Sequence, residues 1–148
     1  MILAAEFGPD DRSMATAAGD GSARLWDVSD VRSGSIGELA SLRGHSGAVL
    51  DVAFNPTGSQ MATAALDETV KIWDDTGTEL FTLPVQMPGS ISFDPTGTRL
   101  AIPSVDGSVR VYVLPVDELL EITRSRLTRS FTDAECLRYL RREGCPPR

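Results

Sequence analysis

From Leu42 to Leu83 the chain alternates apolar and polar residues in short runs that stop at turn-forming residues. The runs Val49–Phe54, Gln60–Ala65, Val70–Trp73 and Glu79–Leu83 are four to six residues long, with Pro56-Thr57-Gly58 and Thr76-Gly77 between them. Side chains of a strand point alternately to its two faces, so runs of this length and spacing predict a four-stranded antiparallel meander. Pro presets one turn dihedral and Gly tolerates the left-handed one, which is why the runs break where these residues stand.

The pattern recurs three times. Phe7–Asp27, Phe54–Asp74 and Phe93–Val113 align without a gap, and an aromatic residue (Trp26, Trp73, Tyr112) follows each Phe by 19 positions. Each Phe is expected to close an inner strand and to pack between neighbouring sheets. Gly58 and Gly97 supply the left-handed turn residue, with Asp11 in the same place in the first unit. Met14-Ala15, Met61-Ala62 and Leu100-Ala101 open the next strand, where small residues allow close approach. Every unit is apolar on both faces of its sheet, so it cannot bury its surface alone and must stack on another. Asp20 and Asp67 lie 47 positions apart, Asp67 and Asp106 only 39. The longer first interval is assigned to a flexible loop from Val28 and an outer strand about Glu38–Leu42. The second connection, Pro84–Gly89, is shorter.

Gly44-His45 ahead of the second unit and Trp73-Asp74 at its end make the unit resemble a blade of the WD-repeat propeller family. The resemblance implies a buried network of His45, Thr63, Asp67 and Trp73. The first unit matches it at Thr16, Asp20 and Trp26, and the third at Asp106 alone, with Ile102 and Tyr112 in place of the hydroxyl and the indole. A structural role for the only histidine follows, since its ring and the indole N–H each gain a partner. In propellers of this family partners dock on the face that carries the second-to-third strand turns and the start of the inner strand. Carried over, that face comprises Leu3, Gly19, Ala48, Leu50, Leu66, Gly89 and Val105.

The expected fold is therefore all-β: a partial β-propeller of three WD-repeat blades, the last incomplete. The blades cover about residues 1–42, 43–84 and 85–114. After Leu114 the periodicity changes, and residues 115–148 read as a tail of two helices. Val116, Leu119, Leu120 and Leu127 are spaced for the first, and Thr132 with Glu135 forms a capping box for the second. Arg124 to Pro146 resembles the C-terminal cap that follows propellers in large bacterial signalling proteins. Cys136 and Cys145 sit on and after the second helix, whose rise of about 1.5 Å per residue holds them more than roughly 10 Å apart. That exceeds the ~7 Å bridging limit, so both read as reduced structural thiols.

Charge and composition narrow the function. The net charge is −7; residues 124–148 hold seven arginines against Asp133, Glu135 and Glu143, leaving −11 on residues 1–123. An acidic strand region disfavours a nucleic-acid groove, which depends on Lys and Arg against phosphates. No apolar run reaches the roughly 18 residues that span a bilayer, and Met1–Phe7 lacks the basic start of a signal peptide. No membrane contact and a cytoplasmic location are expected. Gly19–Ser22 and Asp106–Ser108 resemble phosphate loops only superficially, since no Lys follows and no helix opens there. Nothing calls for a cofactor or a metal, and a single histidine leaves no nucleophile–base pair to build.

Three blades fall short of the roughly four to eight that close a ring. The remaining blades are expected from an upstream segment, another copy or a partner chain. The resulting expectation is a non-catalytic scaffold or sensor binding proteins or peptides, as the C-terminal part of a larger propeller in a bacterial signalling protein. The alternative is a regulatory segment of a multidomain enzyme, a STAND-type NTPase or a protein kinase, whose catalytic part lies outside this chain.

Overall fold

Among the described residues, eleven strands form three antiparallel sheets in chain order. The computed structural model describes residues 1–114, which make one compact unit. The helices expected after Leu114, with Cys136 and Cys145, lie outside the described residues. The first sheet has the order β1 (Ile2–Phe7), β2 (Ser13–Ala18), β3 (Ala23–Asp27) and β4 (Gly37–Leu42). The second runs β5 (Val49–Phe54), β6 (Gln60–Ala65), β7 (Thr69–Asp74) and β8 (Glu79–Pro84). The third contains β9 (Ser92–Phe93), β10 (Arg99–Pro103) and β11 (Val109–Val113), with no fourth strand among the described residues.

Register follows the repeat down to its irregularities. Phe7 faces Met14, Phe54 faces Met61 and Phe93 faces Leu100 across their inner strand pairs. The first and second sheets carry a bulge at equivalent places, between Ile2 and Ala4 and between Val49 and Asp51. They share a second between Leu25 and Trp26 and between Ile72 and Trp73. The turn after each inner strand places Asp11, Gly58 and Gly97 at φ of 56°, 73° and 71°. Asp is among the few non-glycine residues that occupy this region at modest cost. The stretch after β3 is more ordered than a flexible loop: Asp27 accepts from the Ser29 N–H, and Val31–Ser33 form a 3-10 turn that ends on Gly34.

Alternation sorts each strand's side chains onto two faces, and neighbouring sheets bury them. Ala15, Ala17, Ala23 and Leu25 of the first sheet meet Val49, Val52, Phe54, Met61 and Trp73 of the second. On its other face the second sheet packs Ala62, Ala64, Val70 and Ile72 against Ile91, Leu100 and Ile102 of the third. Small side chains on one face and large ones on the opposing face let the sheets approach without voids.

The expectation that all three phenylalanines pack between sheets holds for Phe54, buried to 8% exposure, and in part for Phe93, half-buried against the second cluster. It fails for Phe7, which is 68% exposed. Phe7 belongs to the column that faces the preceding sheet, and among the described residues no sheet lies on that side. The third sheet departs in a further way. Pro88 and Pro103 have no N–H to give, so β9 pairs with β10 only at Ser92 and Phe93. The Ile91 N–H turns instead to the Asp51 carboxylate of the second sheet, at 2.8 Å.

Met61 is fully buried between the first two sheets, whereas Leu39 is 58% exposed. Met61→Ala should lower unfolding free energy by about 2–5 kcal/mol and Leu39→Ala by no more than about 0.5 kcal/mol. Urea denaturation of the two variants checks this, and equal losses would contradict the stacked core.

Candidate functional site

The second sheet assembles one polar cluster from four separate segments. His45 precedes β5, Thr63 is in the middle of β6, Asp67 is in the β6–β7 turn and Trp73 is near the end of β7. The Trp73 Nε1–H donates to Thr63 Oγ1 at 2.8 Å, and the same hydroxyl lies 2.8 Å from His45 Nε2. His45 Nδ1 lies 3.0 Å from Asp67 Oδ2, which also accepts from the Ser46 N–H at 2.8 Å. The indole can only donate, so the Thr63 hydroxyl receives it and donates onward to Nε2. That leaves the proton on Nδ1, directed at the carboxylate. The indole edge and the imidazole meet at 63° with centroids 6.5 Å apart.

Burial and charge fix the protonation states. The His45 side chain has no exposure. Desolvation is the largest influence on the ring and holds its pKa below the ordinary 6.5 despite the adjacent carboxylate. Burial opposes ionisation of Asp67, but the Thr69 hydroxyl, the Ser46 N–H and His45 outweigh it and bring its pKa down to about 2. A neutral imidazole thus faces a carboxylate in a closed circuit. Both ring nitrogens are engaged inside the protein, so neither is available to take a proton from a substrate.

Sequence reasoning placed these four residues but missed Thr69. Its hydroxyl donates to Asp67 Oδ1 at 2.6 Å and its N–H to the same oxygen at 3.1 Å. Ser22 holds Asp20 in the same way, at 2.6 and 3.0 Å, and Ser108 holds Asp106 at 2.6 and 2.9 Å. The signal is visible in the chain as Asp, any residue, then Ser or Thr at the turn between the second and third strands of each unit. All three aspartates therefore lock the turn between second and third strands, and only Asp67 also receives a histidine. In the first sheet Thr16 accepts from the Trp26 indole at 2.9 Å. The third sheet has no such pair, because Ile102 offers no hydroxyl to Tyr112.

The seven candidate rim residues occupy corresponding places in the three sheets. Leu3 and Leu50 are the extra residues of the two inner-strand bulges, which turn them away from the regular alternation. Gly19, Leu66 and Val105 occupy the turns between second and third strands. The Gly19 N–H donates to the Met1 carbonyl at 2.8 Å and the Leu66 N–H to the Ala48 carbonyl at 2.9 Å. Gly89 lies against Pro103. Gly21 of the first sheet sits against the carbonyls of His45 and Gly47, so neighbouring turns line up on one side. Leu66 is 51% and Val105 71% exposed. The register also assigns Met1 and Met87 to the place of Ala48. Both are exposed, and Met87 has a φ of 43°. Met87 was overlooked in the sequence because its connection has lost the Gly-His that marks the position.

At the opposite end of the first two sheets is a half-open cleft of about 320 Å³, floored by Leu25, Phe54 and Met61 and edged by Asp10, Thr57 and Asp75. Among the described residues no group of three or more His, Cys, Asp or Glu is placed to hold a metal. Also among them, no helix is long and apolar enough to cross a membrane.

Asp67→Ala removes the acceptor of the Ser46 N–H and of the Thr69 N–H and hydroxyl and leaves His45 Nδ1 only the Thr69 oxygen at 3.1 Å, and should destabilise the fold by about 1–3 kcal/mol. The acid response follows from the two lowered pKa values. Below 6.5 the unfolded chain protonates its histidine before the folded one does, so stability falls. A second loss comes from about 3.8 downward as Asp67 is protonated towards its folded value of about 2. Thermal midpoints measured across this range should decline in two steps, and His45→Gln should abolish the upper one. An upper step that persists in His45→Gln would show that another group causes it.

A search among curated proteins finds no match to the chain. The family model described as WD domain, G-beta repeat matches residues 2–27 and 37–74, which span the first sheet and most of the second. The first match covers β1–β3, and the second joins β4, the outer strand of the first sheet, to β5–β7 of the second; repeats of this kind are protein-interaction modules, generally non-catalytic. These matches identify residues 2–74, the first sheet and three strands of the second, as WD repeats of the β-propeller family.

Proposed function

We propose that this chain is a non-catalytic protein-interaction scaffold, part of a larger WD-repeat ring, whose rim binds a protein or peptide. The observation that carries the reading is the set of exposed apolar residues on the same rim of successive sheets. Leu3, Leu66, Met87 and Val105 stand in water on a frame of hydrogen-bonded turns. Exposed apolar groups in a fixed array on one side of a fold are what a partner surface requires. The frame is rigid: Asp20, Asp67 and Asp106 each bind the N–H and the hydroxyl of the residue two positions on. Rigid presentation reduces the entropy that binding must overcome.

The proposed setting is cytoplasmic, in a bacterial signalling protein, supported by the likeness of Arg124–Pro146 to the caps that follow propellers there. The regulatory reading, in which the rim controls an NTPase or kinase elsewhere, uses the same surface and differs only in its partner.

Photo-cross-linking distinguishes a binding rim from an idle one. A benzoyl-phenylalanine at Leu66 or Val105 should capture the same partner in the producing cell. The group placed at Thr57, at the other end of the sheets, should not. Equal capture from both ends, or none from the rim, would sink the reading.

A further inference from the structure

The two internal interfaces share one rule: a face of large side chains packs on a face of small or branched ones. Phe54, Met61 and Trp73 of the second sheet cover Ala15, Ala17 and Ala23 of the first. Phe93, Leu100 and Tyr112 of the third cover Ala62, Ala64 and Val70 of the second. The same columns recur at the two ends of the stack with no covering sheet among the described residues. On the first sheet Ile2 is 52% and Phe7 68% exposed, beside the half-buried Met14 and Trp26. On the third sheet Val109 is 65% and Val111 60% exposed, beside Ala101 and Pro103. Residues equivalent to these four are 0–8% exposed where a neighbouring sheet is present, as Val49, Phe54, Val70 and Ile72.

We propose that a second copy of this chain supplies the cover. The large-residue face of the first sheet in one copy packs on the Ala101–Val109–Val111 face of the third sheet in the other, and the reverse contact forms at the far end. The faces match because each repeats one side of an interface already present inside the chain. Two such contacts about a two-fold axis cover the exposed faces of the first and third sheets and close a ring of six blades, within the range that propellers adopt. The proposal rests on the propeller architecture and not on rim binding. The ring can fail while Leu66 and Val105 still bind a partner, and cross-linking and mass measurements report the two separately.

Light scattering on the purified full chain should give twice the 15.9 kDa chain mass at micromolar concentration. Phe7→Glu and Val111→Glu change exposed positions, so each variant should keep its far-ultraviolet circular dichroism and run as a monomer. Mixing them should restore mass. The Phe7 face of the Val111→Glu copy and the Val111 face of the Phe7→Glu copy remain intact, and together they form one contact. A wild-type monomer, an open-ended series of larger species, or variants that dimerise as well as wild type would each overturn the proposal. So would a mixture of the two variants that stays monomeric.

Discussion

A β-sheet that is apolar on both faces has to be covered on both, and every other feature of this chain answers to that constraint. An isolated four-stranded meander would leave Phe54, Met61 and Trp73 in water on one side and Val70 and Ile72 on the other. Stacking removes all five to 8% exposure or less. At about 25 cal/mol per Å² of apolar surface, this burial is the main favourable contribution to folding. Close approach needs one partner face to be small, which explains the alanines that recur at Ala15, Ala62 and Ala101. Large against small is thus a directional rule, giving each sheet a leading and a trailing face, so that the stack grows in one sense only.

Packing of this kind leaves few places for polar groups. They collect where strands enter and leave the sheets, and there the backbone decides their use. Asp20, Asp67 and Asp106 satisfy turn N–H groups that no strand partner reaches. Asn55 and Asp94 do the same after their inner strands, with Asp94 holding the N–H groups of Thr98 and Arg99. In the first sheet Gly8 stands at that place, and Asp10 takes over by accepting from Arg12 and Ser13. Asp10, Asp20, Asp27, Asp67, Asp74, Asp94 and Asp106 of this acidic chain are therefore turn fasteners. The His45 cluster extends the same logic: a buried indole N–H needs an acceptor, Thr63 provides one, and histidine carries the chain of donors out to a carboxylate that already holds a turn.

Over the described residues the sequence revealed the strands almost completely, because period-two alternation and turn residues are local signals repeated three times. The strands of the second sheet stand within a residue or so of where the alternation put them. Exposure of Phe7 was not legible, since its surroundings depend on a neighbour and not on its own strand. Nor was the shortness of β9, which comes from two prolines, Pro88 and Pro103, brought together from opposite strands. At the polar cluster, the four residues that match the family were readable by position. Thr69 was not, because its role appears only when three turns are compared for the residue after next. The rim was legible as positions but not as surface: the bulges that turn out Leu3 and Leu50 follow from pairing register, which alternation alone does not fix.

The contrast between body and rim bears on function. Some columns inside the sheets hardly change between repeats: Phe7, Phe54 and Phe93 are identical, and Met14, Met61 and Leu100 are near-isosteres. At the rim the corresponding columns read Leu3, Leu50 and Gly89, or Gly19, Leu66 and Val105, with no common size. Packing density punishes a change of volume in the first set and is indifferent to it in the second. Each rim position is therefore free to take the shape of whatever it meets, while the Asp-locked turn beneath it keeps its place. A repeat fold built this way separates the residues that hold the frame from those that distinguish partners, and here the two sets meet at a single peptide bond, between Leu66 and Asp67.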